Sequence, residues 1–158
     1  MNEEDVIMSY IGMWKFHSIG IINDADEMVY LNGEEYLSSP MPYIDETDEE
    51  AVADEMKERK QCIGTQIKVC EDGNMYMLMP LPEGVSDAEV KQAVETGVIK
   101  LMDGMMVGDS HSWEDRDGEF WYDTGIEGEI FGEKADSWAN ASTQDGFISI
   151  MTMRFVKE

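Results

Sequence analysis

A chain of 158 residues and 17.9 kDa can bury one hydrophobic core without disulfide staples, so a single domain over residues 1–158 is expected. Its 35 acidic residues against 11 scattered basic ones give a formal net charge of −24, a surface that repels phosphate backbones and anionic headgroups and argues against nucleic-acid and membrane-surface roles. No apolar run approaches the roughly 18 residues of a spanning helix, and the start MNEEDVIMSY lacks the basic and apolar regions of a secretory signal, so a cytoplasmic protein is expected.

In chain order, the first strand is expected at 12–19 (GMWKFHSI) and a second at 27–31 (EMVYL). Thr47-Asp48-Glu49-Glu50 then reads as a Thr-x-x-Glu capping box, after which Val52 and Met56 fall on one face of a helix. TQIKVC (65–70) and NMYMLMP (74–80) flank Asp72-Gly73, a hairpin signal because such a turn needs positive φ. Ser86-Asp87-Ala88-Glu89 is a second capping box; Val90, Ala93 and Val94 follow at helical spacing, with Gly97 in the stop position. Asp103-Gly104 joins VIKLM (98–102) to MMVGDSHSW (105–113), and Asp117-Gly118 turns that strand into EFWYDTG (119–125). Single strands are expected at 128–132 and 137–142, and Asp145-Gly146 precedes a long closing run, FISIMTMRFVK (147–157). Cys62 and Cys70, eight residues apart, fit no metal or redox motif.

An antiparallel meander of this size must manage its edges, and closure removes them. The expected fold is therefore all-β: an antiparallel up-and-down β-barrel of about 8–10 strands with two short covering helices. Gly12-Met13-Trp14 near the start and Arg154 near the end of the chain resemble the calycin superfamily of lipocalins and fatty-acid-binding proteins. The resemblance implies that Gly-x-Trp marks the first barrel strand and that a basic residue of the last strand packs across the tryptophan. Gly12, Trp14 and Arg154 are thus the expected closure residues. Two departures stand out. Fatty-acid-binding proteins place both lid helices between the first and second strands, whereas here a hairpin is expected to separate them. Their anion clamp resembles Arg-x-Tyr, where this chain has Arg154-Phe155-Val156.

Of the 14 methionines, Met75, Met77 and Met79 alternate onto one face of their strand, with Met105 or Met106 joining from a neighbour. Such a lining adapts to apolar ligands of varied shape, because the side chain is unbranched and polarisable. The plainer alternative is that these methionines fill the barrel. Trp113, Phe120, Trp121 and Tyr122 flank one turn, and Trp121 is placed at the rim of a ligand mouth; cross-strand aromatic pairs also stabilise hairpins without a ligand. The expected ligand-binding set is Met75, Met77, Met79, Met105 and Trp121.

Chemistry is sparse. His111 stands two residues from Asp109 on a shared face, which would suit an imidazole oriented by a carboxylate, but Ser110 and Ser112 point away from it and the favoured reading is a hydrogen-bonded or rim histidine. Two histidines without Cys-x-x-Cys assemble no zinc site, and the acidic clusters at 45–50 and 114–117 are explained by helix capping and turn chemistry. The expected function is non-catalytic binding of a small apolar or amphipathic molecule in a barrel cavity, without cofactor or metal. The alternatives are a small barrel isomerase or hydrolase using His111 and a carboxylate, and a solid barrel whose acidic face meets a basic partner.

Overall fold

The protein is described by a computed structural model covering residues 9–42, 44–82, 84–126, 128–134, 136–143 and 146–158. The first eight residues and Asp145 of the fourth Asp-Gly pair lie outside the described residues. Strands β1 (Gly12–Ile22) and β2 (Met28–Leu31) pair antiparallel, and α1 (Gly33–Ser38) and α2 (Glu49–Ile63) follow. Next come β3 (Gln66–Val69), β4 (Asn74–Met79), α3 (Asp87–Glu95), β5 (Leu101–Met102), β6 (Met105–Arg116) and β7 (Glu119–Asp123). The chain finishes with β8 (Glu129–Ile130), β9 (Glu133–Lys134), β10 (Trp138–Asn140), β11 (Ile148–Ile150) and β12 (Met153–Lys157).

The main sheet runs β10-β7-β6-β4-β3-β1-β12-β11, with β2 and β5 paired beside that path. Every pairing in it is antiparallel. This is chain order bent into a loop, with the first strand against the last. The two ends of the path approach each other just after β10. There the Ala141 amide donates to Phe120 O at 2.8 Å, while Ala141 O accepts from Ser149 N at 2.7 Å. Ser142 adds a bridge to Ile148. The result is a mostly β protein built on a curled antiparallel sheet with three short helices.

Local chemistry accounts for the elements. At the β5–β6 and β6–β7 turns both residues are left-handed, Asp103 at φ 53° with Gly104 at 78°, and Asp117 at 55° with Gly118 at 86°. That is the geometry for which Asp-Gly is selected. Ser86 caps α3 as expected, its hydroxyl accepting from Glu89 N. For α2 the expected cap shifts by one residue: Asp48 accepts from Glu50 N and Ala51 N, while Thr47 donates its hydroxyl to Asp45 at 2.6 Å. A carboxylate is the stronger acceptor for a helix N-terminus.

Three expectations are corrected. Two helices are expected and a third is present: α1 starts from a reciprocal capping box of Asn32 and Glu35, while the two expected helices, α2 and α3, are separated by the β3–β4 hairpin as expected. Residues 128–132 form half of a small hairpin, β8 with β9, rather than one strand. The closing run 147–157 is two antiparallel strands, because Met151 adopts φ 57° and Gly20 N captures Thr152 O at 2.7 Å. No glycine, proline or asparagine marks that turn; the pairing of β12 with β1 imposes it.

Candidate functional site: the interior of the curled sheet

Side chains alternate across a strand, so each strand contributes one face to the concave interior. One end of that interior is packed solid. Ile67, Val69, Met75, Trp113, Phe120, Ile148 and Phe155 are buried there with Trp14, and Trp113 stacks on Phe120 at 5.5 Å and 10°. Tyr10 closes this end, edge-on to Phe120 at 5.3 Å, its hydroxyl donating to Gly118 O at 2.6 Å. Trp14 donates its indole N–H to Tyr10 O at 2.9 Å, which satisfies its one polar atom.

Further along the same faces burial is uneven: Ile150 and Ile19, both opposite Met153, are buried. Phe16, Met77, Tyr122 and Met153 pack against this core but are only half-buried. The end of α2 reaches over them, placing Cys62 Sγ 3.4 Å from Met153 Sδ. Removal from water pushes the Cys62 thiol up, away from the reactive thiolate. His111, in register with Met75, packs edge-on to Tyr122 at 5.5 Å. Its Nδ1 lies 2.8 Å from the backbone oxygen of Asp123. A carbonyl only accepts, so Nδ1 is the donor in this contact. Burial also pushes the Tyr122 hydroxyl up. On the outer flank of α2, a pocket of 440 Å³ is lined by Lys57, Lys60, Gln61, Pro80 and Leu81.

The expected residues divide accordingly. Met75 forms part of the solid floor, fully buried, and Met77 is its half-buried neighbour opposite Ile67. Strict alternation then breaks, because Leu78 rather than Met79 is fully buried. A bulge in β6 shifts the register between Tyr76 and Leu78, and Met79 faces Met106. Met105 pairs instead with Met102 of β5. Trp121 alternates away from its core neighbour Phe120 and lies under Arg116, whose guanidinium carbon is 4.6 Å from the ring centroid. Tyr122 occupies the interior place expected of Trp121. His111 engages the Asp123 carbonyl, whereas Asp109 is exposed.

The closure residues are corrected in one respect. Gly12 and Trp14 do lie where β1 meets both β3 and β12, but the residue opposite Trp14 is Lys157. Arg154 stands opposite Ser18, next to the core residue Phe155 and therefore on the other face, with its guanidinium 3.5 Å from the Tyr30 centroid. Arg154 thus takes no part with Trp14. Gly12 is required by its φ of +134°, and a Cβ there would meet Lys157 Cε at 3.3 Å.

Among the described residues no group of three or more His, Cys, Asp or Glu side chains could hold a metal ion. Nor, among the described residues, is any helix long and apolar enough to cross a membrane. Compared with protein-family models, with curated proteins and with solved structures, the chain matches none of them.

Proposed function

We propose that the sheet is a closed eight-stranded barrel of the lipocalin-like kind, and that its half-filled end binds a small apolar or amphipathic molecule without catalysis. The observation that carries this reading is a group of half-buried inward residues, Met77, Met153 and Tyr122, packed against the fully buried cluster of Met75 and Phe155. Side chains that point inward and yet remain partly accessible border open volume, and these are polarisable or aromatic. The loop-like strand order and the hydrogen bonds on both sides of Ala141 support closure. The helices α1 and α2 between the first two strands of the path support a covered cavity mouth.

The test is an environment-sensitive apolar dye titrated into native protein and displaced by lipids or aromatic small molecules. Saturable binding is expected, and Met77→Trp should abolish it with the fold intact. In a solid interior the same change overpacks and costs about 1 to 3 kcal/mol. Marked destabilisation by Met77→Trp together with no saturable binding sinks the proposal. Native mass spectrometry of protein from its own cell would identify a co-purifying occupant.

A further inference from the structure

We propose that the outer face of β1, β12 and β11 carries a site for a tetrahedral oxyanion, the phosphate group of free phosphate or of a phosphate monoester. Arg154 is its anchor, with Ser149, Ser18 and His17 around it. The site is independent of the interior. Register places Ser18, Arg154 and Ser149 directly opposite one another on three adjacent strands, so all three side chains share one face. A register shift between Phe16 and Ser18 inserts His17 beside them. His17 Nδ1 lies 3.0 Å from Ser18 Oγ, and its ring lies against Phe147, tilted by 31° with the centroids 4.3 Å apart.

The guanidinium plane is fixed by aromatic rings, Tyr30 at 3.5 Å and Phe147 at 5.8 Å from its carbon. Stacking consumes the face of a guanidinium and leaves its edge donors to be satisfied. One of them is not: Arg154 Nε is buried without a hydrogen-bond partner. Charge sharpens the point. The chain has 35 acidic residues, and its two other arginines each hold a carboxylate, Arg59 with Glu55 and Arg116 with Glu114. Arg154 has no ion pair among the described residues. A planar fork, two hydroxyls and an imidazole on one face offer more donors than a planar carboxylate can use, which favours a tetrahedral acceptor.

The experiment titrates inorganic phosphate, methyl phosphate and acetate into ¹⁵N-labelled full-length protein at constant ionic strength. With only three arginines, the Nε–H region of a proton–nitrogen correlation spectrum holds three signals, and Arg154→Gln identifies one by its loss. Phosphate should shift that signal saturably, together with the backbone amides of Ser18 and Ser149, while the Arg59 and Arg116 signals stay. Affinity read from the amides should vanish in Arg154→Gln and fall roughly tenfold in Arg154→Lys, which keeps the charge but loses the fork. Tighter binding of methyl phosphate supports an ester as the natural ligand; tighter inorganic phosphate supports the free ion. Parallel shifts of all three arginine signals, absence of saturation, undiminished affinity in Arg154→Lys, or saturation by acetate before phosphate each overturn the proposal. Arg154→Lys decides if Arg154→Gln does not fold.

Discussion

Arg59 is 2 % exposed, and a buried charge survives only with its donors satisfied. It donates from Nη1 to Tyr36 O at 2.6 Å, Ser39 O at 2.9 Å and Ser39 Oγ at 2.9 Å, and from Nη2 to Pro40 O at 3.1 Å. Its Nε reaches Glu55 at 3.2 Å. These carbonyls cluster around the C-terminal end of α1, a helix of 6 residues too short to stand alone. A cation there meets the negative end of the helix dipole and its unpaired carbonyls together. Arg59→Met should therefore lower stability by about 3 to 5 kcal/mol in urea unfolding, since it strands Glu55 and these acceptors. Arg59→Lys should fall between the two, and a loss below about 1 kcal/mol for Arg59→Met would show the cluster to be loose. Cys62 makes a second residue-scale prediction. Its thiol is pushed up by burial, so iodoacetamide at neutral pH should modify it far more slowly than free cysteine, with a dye in the interior slowing it further. Rapid modification of native protein, located by peptide mass spectrometry, would contradict the covering position of α2.

At the scale of elements, the β1–β12 pairing decides which basic residue meets Trp14. The pairing was legible, because Gly12-x-Trp14 at one end and a basic apolar strand at the other suggest first-to-last contact. The register was not. Lys157 stands opposite Trp14, three residues beyond Arg154, and an odd offset reverses the face on which a side chain lies. Register depends on the bulge at His17 and on the capture of Thr152 O by Gly20, both long-range events. Gly12, at φ +134°, is the local residue most exposed to this geometry. Gly12→Ala should cost about 1 to 3 kcal/mol by thermal unfolding, through strained backbone plus the approach to Lys157. A neutral outcome would mean that β1 begins after residue 12 in solution.

For the whole molecule, the seam at Ala141 and the net charge set the expectations. If the sheet closes, the amides of Ala141 and Ser149 should exchange with deuterium as slowly as those of central β1, because they open only with the barrel. Fast exchange at these two positions, with β1 protected, would leave an open curled sheet. A net charge of −24 repels itself, so the melting temperature at pH 7 should rise as salt increases from about 10 to about 200 mM and the screening length contracts. A fall would point to attractive surface pairs outweighing the repulsion. Acid acts in two senses. Protonation relieves repulsion, yet the hydroxyl of Thr47 beside Asp45 and that of Ser137 beside Asp123 hold these carboxyls below the usual range. A depressed folded pKa contributes stability above the unfolded value and loses it as pH falls through the folded one. That loss belongs below about pH 4, so stability should be greatest at mildly acidic pH.

Sequence by itself determined what depends on near neighbours. The Asp103-Gly104 and Asp117-Gly118 turns, the Ser86 cap and the hairpins β3–β4, β5–β6 and β6–β7 all follow from residues within a few positions of one another. Helix α1 is also written locally, in Asn32-x-x-Glu35, a capping box with asparagine in place of the commoner serine or threonine. Tertiary structure decided the rest. The bulge opposite Tyr76 and Leu78 sets Met106, not Met105, against Met79, and the hairpin at Met151 divides a run that reads as one strand. The burial of Phe120 turns Tyr122 inward and Trp121 outward, and the register of β12 sends Arg154 to the outer face. Each is a choice of face or register between strands far apart in sequence. With a side-chain period of two, one residue of slip exchanges inside for outside, and only packing of the assembled sheet selects between them.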